Sequence, residues 1–302
     1  MTSGHAHAST AGRHRSRLLV VIAITMTVFG LQVIGGLISG SLALLADAGH
    51  MLTDSTGLVI ALIATLLAAR PATAARTYGL QRAEVLAALA NGLLLAAVGV
   101  WVLIQAVERW HAPADISSGL MLIIALVGAA ANTLALVLLR RGQAESLNLR
   151  GAYLEVLGDL LGSVAVIVAA VVIMITGYTR ADSIASVLIF AMIIPRCWSL
   201  LREVVDVLLE ATPRNVDLAQ VRRHICDLDG VLDVHDLHAW TITSGSPVLS
   251  AHVVVDQECL SGGSGQMLDR LAECLGQHFD LEHCTFQLEP ESHRAHEKAH
   301  HA

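Results

Sequence analysis

Residues 41–54 read Ser41-Leu-Ala-Leu-Leu-Ala-Asp47-Ala-Gly-His50-Met-Leu-Thr-Asp54. Three ionisable side chains, Asp47, His50 and Asp54, are set into a run that continues apolar to residue 68. A spanning helix needs about 20 mostly apolar residues, and this run supplies them. An ionisable group in the middle of such a span costs at least ~2.5–3.5 kcal/mol, which marks it as functional by default. His50 and Asp54 are four residues apart and share one helix face. The pattern recurs in the apolar stretch 152–176, where Glu155 and Asp159 are again four apart. Two such helices facing each other present one nitrogen and three carboxylates to a common point. Four N/O ligands suit tetrahedral Zn²⁺, and an oxygen-rich set also admits Co²⁺, Mn²⁺ or Fe²⁺. Mutual neutralisation or a metal-free proton relay is the plainer reading. It leaves three carboxylates and one histidine short of positive charge without a cation or bound protons. Asp47, one turn before His50, suits either a pathway or a helix-stabilising role as well as ligation.

Working outward, six segments have spanning length and composition: roughly 17–39, 43–68, 84–107, 117–139, 152–176 and 182–201. The chain is 54% hydrophobic and 15% charged, against about 25% charged in soluble domains. The breaks at Ser39-Gly40-Ser41 and Gly177–Arg180 are short enough for tight helical hairpins. Arg13, Arg15 and Arg17 precede the first span without a small-residue cleavage site, so it reads as a retained helix. Arg70, Arg76 and Arg82 follow the second span, and Arg140, Arg141 and Arg150 follow the fourth; the alternate loops carry only Arg109 and Arg180. The positive-inside rule then places both termini in the cytoplasm of a multi-pass inner-membrane (plasma-membrane) protein. Asn91, Gln32, Gln105 and Asn132 read as interhelical hydrogen-bonders.

The charge balance changes along the chain. Residues 1–202 hold 13 Lys+Arg and 9 Asp+Glu, whereas residues 203–302 hold 6 and 17. This implies two domains in two solvents. The expected organisation is an arm at 1–16, a six-helix transmembrane domain at 17–202, a cytosolic α+β domain at 203–291 and a His-rich disordered tail at 292–302. Within the third part, 215–228 reads as a helix, Val231–Ile242 and Val248–Val255 as strands, Ser261–Gly265 as a flexible turn, 266–278 as a helix and Cys284–Leu288 as a strand. The five cysteines show no C-x-x-C spacing, and the soluble half reads as reduced and cytosolic.

These stretches resemble the cation diffusion facilitator family, in its bacterial zinc-exporter branch. Besides residues 41–54, the resemblance rests on Tyr78-Gly79, Arg82-Ala-Glu-Val-Leu86, Leu157-Gly-Asp-Leu-Leu-Gly-Ser163, Leu208-Leu-Glu210, His235-Asp-Leu-His-Ala-Trp240 and His283-Cys-Thr-Phe-Gln-Leu-Glu289. It implies a homodimeric metal/proton antiporter with a ferredoxin-like, metallochaperone-like cytosolic domain. It assigns the transport site to His50, Asp54, Glu155 and Asp159. It implies a charge pair between Arg82 and Glu210 at the domain junction. His235, His252, His283 and Glu289 fall near the family's cytosolic metal positions, with His238 beside them and Gln287 in place of a ligand used by some members. The loop site of other relatives has Thr73 and Leu80 at its positions, so no metal is expected there. His293, His296, His300 and His301 in the tail are candidates for weak metal capture.

The expected function is efflux of a divalent cation, zinc foremost, with Co²⁺, Cd²⁺, Mn²⁺ or Fe²⁺ as further substrates. The partners are metal ions, protons, the lipid bilayer and a second copy of the chain. Neither an organic cofactor nor nucleic acid is implied. The chain does not read as an enzyme: no span carries the H-E-x-x-H pair of an intramembrane metalloprotease. No P-loop for a primary pump is present. A non-transporting metal sensor is the alternative, and it leaves the intramembrane carboxylates unexplained.

One departure from the zinc branch generates a prediction. Glu155 stands where that branch usually has His. A carboxylate there adds negative charge and removes a borderline-soft nitrogen, which favours harder ions relative to Zn²⁺. Zn²⁺ still accepts carboxylate oxygen. The expected outcome is broad selectivity with zinc retained, and a rise in the Zn²⁺/Mn²⁺ and Zn²⁺/Co²⁺ flux ratios in Glu155→His. Unchanged ratios at the same pH would assign selectivity to the other ligands.

Overall fold

The computed structural model describes residues 5–140, 147–243, 245–279 and 283–294. Arg141 in the fourth loop, and His296, His300 and His301 in the tail, lie outside the described residues. Six long helices come first: α1 His5–Ser39, α2 Leu42–Ala68, α3 Ala83–His111, α4 Ser118–Arg140, α5 Leu147–Thr176 and α6 Arg180–Leu208. Each contains a window long and apolar enough to cross a membrane, beginning at Val20 in α1. The helices outrun the expected apolar segments at several ends, with α3 running on to His111 and α5 starting at Leu147. α1 begins at His5, inside the arm expected at 1–16, and α6 continues past Pro195 to Leu208. Helical hydrogen bonding propagates beyond the apolar window, and hydropathy does not sense where it stops.

The chain forms two compact units, residues 1–60 with 90–199 and residues 61–89 with 200–302. In the first, α2 through α6 share an apolar core that includes Leu44, Val102, Met121, Val166 and Ile189. α1 joins through Val21, which packs with Ala135 and Leu139 of α4 and Val156 of α5. Lipid is as apolar as leucine, so close helix packing, rather than burial from water, must hold such a bundle. Small residues allow it. The open side of Gly99 in α3 is filled by the Phe190 ring of α6, and that of Gly35 in α1 by Ile124 of α4.

One buried carboxylate anchors the end of this bundle that carries the α1–α2 turn. Asp182, in the first turn of α6, is fully buried. It accepts hydrogen bonds from Ser41 Oγ at 2.6 Å, from the Leu42 backbone N–H at 2.7 Å and from that of Ala43 at 3.2 Å. These are orphan donors at the start of α2, where the helix dipole favours an anion. Arg109, at the end of α3, lies 3.6 Å from Asp182 and donates to the Gly40 carbonyl at 2.5 Å. One carboxylate therefore ties three helices together.

The second unit ends in a small α+β fold. α7 spans Leu218–Cys226, starting one residue after Asp217, whose side chain accepts from the Ala219 and Gln220 backbone N–H groups. β1 (Val231–Thr241) pairs antiparallel with β2 (Pro247–Val255), and β2 pairs parallel with β3 (His283–Glu289). Ser261–Gly265, expected as a flexible turn, instead belongs largely to a wide π-type turn, Cys259–Gly263, that runs into α8 (Ser264–Phe279). A short helix, α9 (Glu291–Arg294), follows β3 inside the segment expected to be disordered. Val221, Ile225, Val234, Leu249, Met267 and Leu271 fill the core between sheet and helices.

The Asp182 cluster predicts a stability effect. Asp182→Ala removes the acceptor for the α2 N-terminus, a cap of about 0.5–2 kcal/mol, and strips Arg109 of its buried partner. A loss of at least about 2 kcal/mol is expected in reversible denaturant unfolding of the detergent-solubilised protein. Wild-type stability would refute this role.

Candidate metal centres

The intramembrane site is assembled by α2 and α5. His50 Nε2 lies 3.5 Å from Asp54 Oδ2, one helical turn away. Glu155 of α5 lies close enough to Asp54 and His50 for its charge to act on both. Asp159, one turn further along α5, is buried and feels the charges of Asp47, Asp54 and Glu155. All four sequence candidates thus converge from facing helices. They are not drawn into one tight cluster. Among the described residues, only His235, His252 and Glu289 bring three ligand atoms within 4.8 Å of one another.

The site contains a residue the sequence reading passed over. Arg196, on α6 immediately after Pro195, places Nη1 3.3 Å from Asp54 Oδ2. It falls near the end of the apolar run, where an arginine reads as a snorkelling terminal charge. Only the packing of α6 beside α2 gives it this partner. Two other readings need correction. Gln105 donates to Glu108 of its own helix at 2.9 Å rather than across helices. Asn132 has no partner among the described residues for either side-chain polar atom. Gln32 does bond across helices, donating from Nε2 to Asp47 Oδ2 at 2.5 Å.

The second centre is in the soluble fold, where strand register does the work. His235 on β1 sits directly opposite His252 on β2, and His252 opposite Gln287 on β3. Residues opposite each other on paired strands have side chains on the same face. His235 Nε2 is hydrogen-bonded to Glu289 Oε1, and His252 Nδ1 lies 3.9 Å from Glu289 Oε2. Glu289 is buried, and Gln287 Nε2 donates to its Oε2 at 3.3 Å. His293 of α9 adds a third imidazole 3.8 Å from the same oxygen. Two imidazoles and a carboxylate form a donor set that Zn²⁺ accepts.

His238 faces another carboxylate. The β1 register shifts between His235 and His238, where Asp236 adopts φ 49°, a left-handed conformation that Asp tolerates. This bulge sets Asp236 between His238, at 3.1 Å, and His252, at 4.0 Å. His283 does not join His235, His252 and Glu289 among the described residues. It is exposed at the opposite end of β3, six residues from Glu289, or about 20 Å along a strand. The cysteines form no disulfide among the described residues, and burial pushes the Cys284 thiol up to about 11.

The Arg82–Glu210 pair forms as well, with Nη2 3.2 Å from Oε1. Glu210 follows the end of α6 with φ 57°, a position where glycine is usual. Close by in sequence, Glu84 accepts from Thr65 at 3.4 Å and from Thr243, after β1, at 2.9 Å.

The family models match along the same division. Residues 18–209 match the cation efflux transmembrane domain, and residues 213–291 match the cytoplasmic domain of cation efflux proteins. The chain belongs to the cation efflux, or cation diffusion facilitator, family of metal transporters. It is 44% identical to the metal cation efflux system protein CzcD of Cupriavidus metallidurans, over 96% of this chain and 90% of that one. It is 39% identical to the zinc transporter ZitB of Escherichia coli, over 96% and 93%. It is 37% identical to a cadmium, cobalt and zinc/H(+)-K(+) antiporter of Bacillus subtilis, again over 96% and 93%. Family membership makes the protein a metal cation efflux transporter.

The exposure of Arg82 and Glu210 bounds what their pair contributes. Exposed pairs give about 0–1 kcal/mol. A double-mutant cycle on Arg82→Ala and Glu210→Ala should therefore give a coupling energy below about 1 kcal/mol in unfolding, together with a measurable coupling in transport rate. Strict additivity in both readouts would make them independent surface charges.

Proposed function

We propose that the chain exports Zn²⁺ from the cytoplasm by metal/proton antiport, with His50, Asp54, Glu155 and Asp159 as the transport ligands. The observation that carries this reading is the convergence of one imidazole and three carboxylates from α2 and α5 inside apolar spans. Metal binding needs deprotonated carboxylates and neutral imidazole, so loading releases protons and unloading takes them up. With the site open to the cytoplasm, metal displaces protons. Rocking of the bundle exposes it outward, where protons displace metal and the protonated carrier returns. A potential of 100 mV contributes ~2.3 kcal/mol per charge moved. Exchange of one M²⁺ for one H⁺ moves net charge against an inside-negative potential, so a pH gradient or a second proton completes the balance. The carboxylate of Glu155 offers a further proton acceptor. It also supports transport of Co²⁺, Cd²⁺, Mn²⁺ or Fe²⁺ beside zinc. The names of the Cupriavidus and Bacillus relatives accord with a broad range and with antiport.

The arginine distribution supports an inner-membrane protein with both termini cytoplasmic, and domains divided near residues 202 and 291. His235, His252 and Glu289 then face cytosolic metal. The reading makes them a regulatory site, with His283 free to serve a second copy of the chain in a homodimer. His235, His252 and Glu289 would hold the ion there, which would supply positive charge beside Glu289, compact the dimer and favour transport when cytosolic metal rises.

Flux decides the assignment. In proteoliposomes with an imposed pH gradient, Asp54→Ala and Asp159→Ala are each expected to abolish Zn²⁺ flux, at least a hundredfold below wild type, while gel filtration shows an intact oligomer. Normal flux by either variant would remove that residue from the transport site.

A further inference from the structure

Next to the transport quartet, toward the α1–α2 end of the bundle, lies a second group of buried polar side chains that neither ligation nor packing accounts for. α2 starts at Leu42 and α5 at Leu147, so Asp47 precedes His50 by about 4.5 Å of helix, and Gly162 and Ser163 follow Asp159 by a similar rise. Asp47 stands against α5: the open side of Gly162 is occupied by its carboxylate, and any side chain there would collide with it. Gly128 of α4 opens the neighbouring wall. A Cβ there would lie 3.4 Å from Ser163 Oγ and 3.6 Å from Gln32 Nε2. Asn132 is one turn along the same face of α4. Four helices thus converge on one place, each bringing an oxygen-bearing side chain.

Those side chains are almost wholly enclosed, with Gln32, Asn132 and Ser163 at 0% exposure, Asp47 at 1% and Asp159 at 2%. Yet Gln32 Oε1, Asp47 Oδ1, Asn132 Oδ1, Asp159 Oδ1 and Ser163 Oγ all lack a hydrogen-bond partner among the described residues. Each such orphan costs about 1–3 kcal/mol, so a bundle keeps five together only where something else engages them. Among the described residues, the bond from Gln32 to Asp47 Oδ2 leaves Asp47 Oδ1, the oxygen set against Gly162, without a donor. Two carboxylates among neutral oxygens favour a cation over water alone. With no imidazole or thiolate in the set, they favour a hard, oxygen-seeking divalent ion that keeps some of its hydration.

We infer that Asp47, Gln32, Asn132 and Ser163, with the shared Asp159, form a second, oxygen-lined station for a divalent cation between the transport quartet and the α1–α2 end of the bundle. The inference rests on the transport reading above, because it makes the station the next stop of an exported ion. An ion leaving His50 and Asp54 keeps Asp159 as a ligand while it gains Asp47, so it never loses all its anionic ligands at once in a low-dielectric interior. The weaker oxygen set then releases it more readily than an imidazole-containing one.

The test uses the full-length protein in detergent, with His235→Ala and His252→Ala to silence the soluble-domain centre. Equilibrium dialysis against Co²⁺ measures the ions bound per chain, and the cobalt absorption spectrum reports their geometry. Adding His50→Ala and Asp54→Ala destroys the quartet but spares the station. This chain is expected to retain one Co²⁺ with a weak, octahedral-type spectrum. Adding Asp47→Asn, which keeps the size of the side chain, is expected to abolish the retained ion. Ser163→Ala in place of Asp47→Asn is expected to weaken it about tenfold. No retained ion, or an ion indifferent to both substitutions, overturns the station. In flux assays, Asp47→Asn in an otherwise wild-type chain is expected to slow Zn²⁺ transport at least tenfold, and a wild-type rate also overturns it. Absence of flux from the wild-type chain would instead overturn the transport reading, so the two failures are distinct.

Discussion

Negative charge held inside an apolar bundle is the constraint on which the membrane half depends. A carboxylate there is tolerated only when the surrounding helices supply donors, opposite charge or a cation. Each buried acid of this bundle meets that demand differently. Asp182 takes the open N–H groups of α2 and the guanidinium of Arg109, and so serves architecture. Asp54 faces Arg196, His50 and Glu155, and so stays available to an incoming ion. Asp47 receives one donor, Gln32, and keeps an open oxygen. The number of donors committed to each carboxylate separates structural acids from working ones.

The soluble half repeats this logic around one acid. Glu289 is buried at the end of β3, with His235, His252, His293 and Gln287 around it. An anion encircled by imidazoles is stabilised by their protonation or by a metal they bind in common. The bulge at Asp236 extends the arrangement by giving His252 a second acidic neighbour. Sheet register and one irregular residue together place two imidazole–carboxylate groups side by side on one small sheet. In the same unit, Arg82–Glu210 and Thr243–Glu84 join the start of α3 to the chain after α6 and to the β1–β2 connection.

Sequence by itself determined the six spans, because hydropathy and length decide whether a helix can cross a bilayer, whatever its neighbours. It also determined the pairs His50/Asp54 and Glu155/Asp159, since i,i+4 spacing is a local property of any helix. The order of helices and strands along the soluble fold was legible from alternation and turn residues. Where elements end was less so, as the continuation of α6 to Leu208, beyond the span expected to end at 201, and the ordered π-type turn at Cys259–Gly263 show; hydropathy averages over windows and does not weigh individual backbone hydrogen bonds.

Only the tertiary structure decided which side chains meet. Arg196 and Asp182 are separated by more than 125 residues from the α2 groups they serve, and no periodicity links positions so distant. Glu289 and His235 come together through strand register, whereas His283, on the same strand, is carried to its far end. The open oxygens of Gln32, Asn132 and Ser163 appear only once four helices have closed around them. Sequence spacing governs what one helix or strand presents; partners across elements follow from packing, which depends on all the surfaces at once.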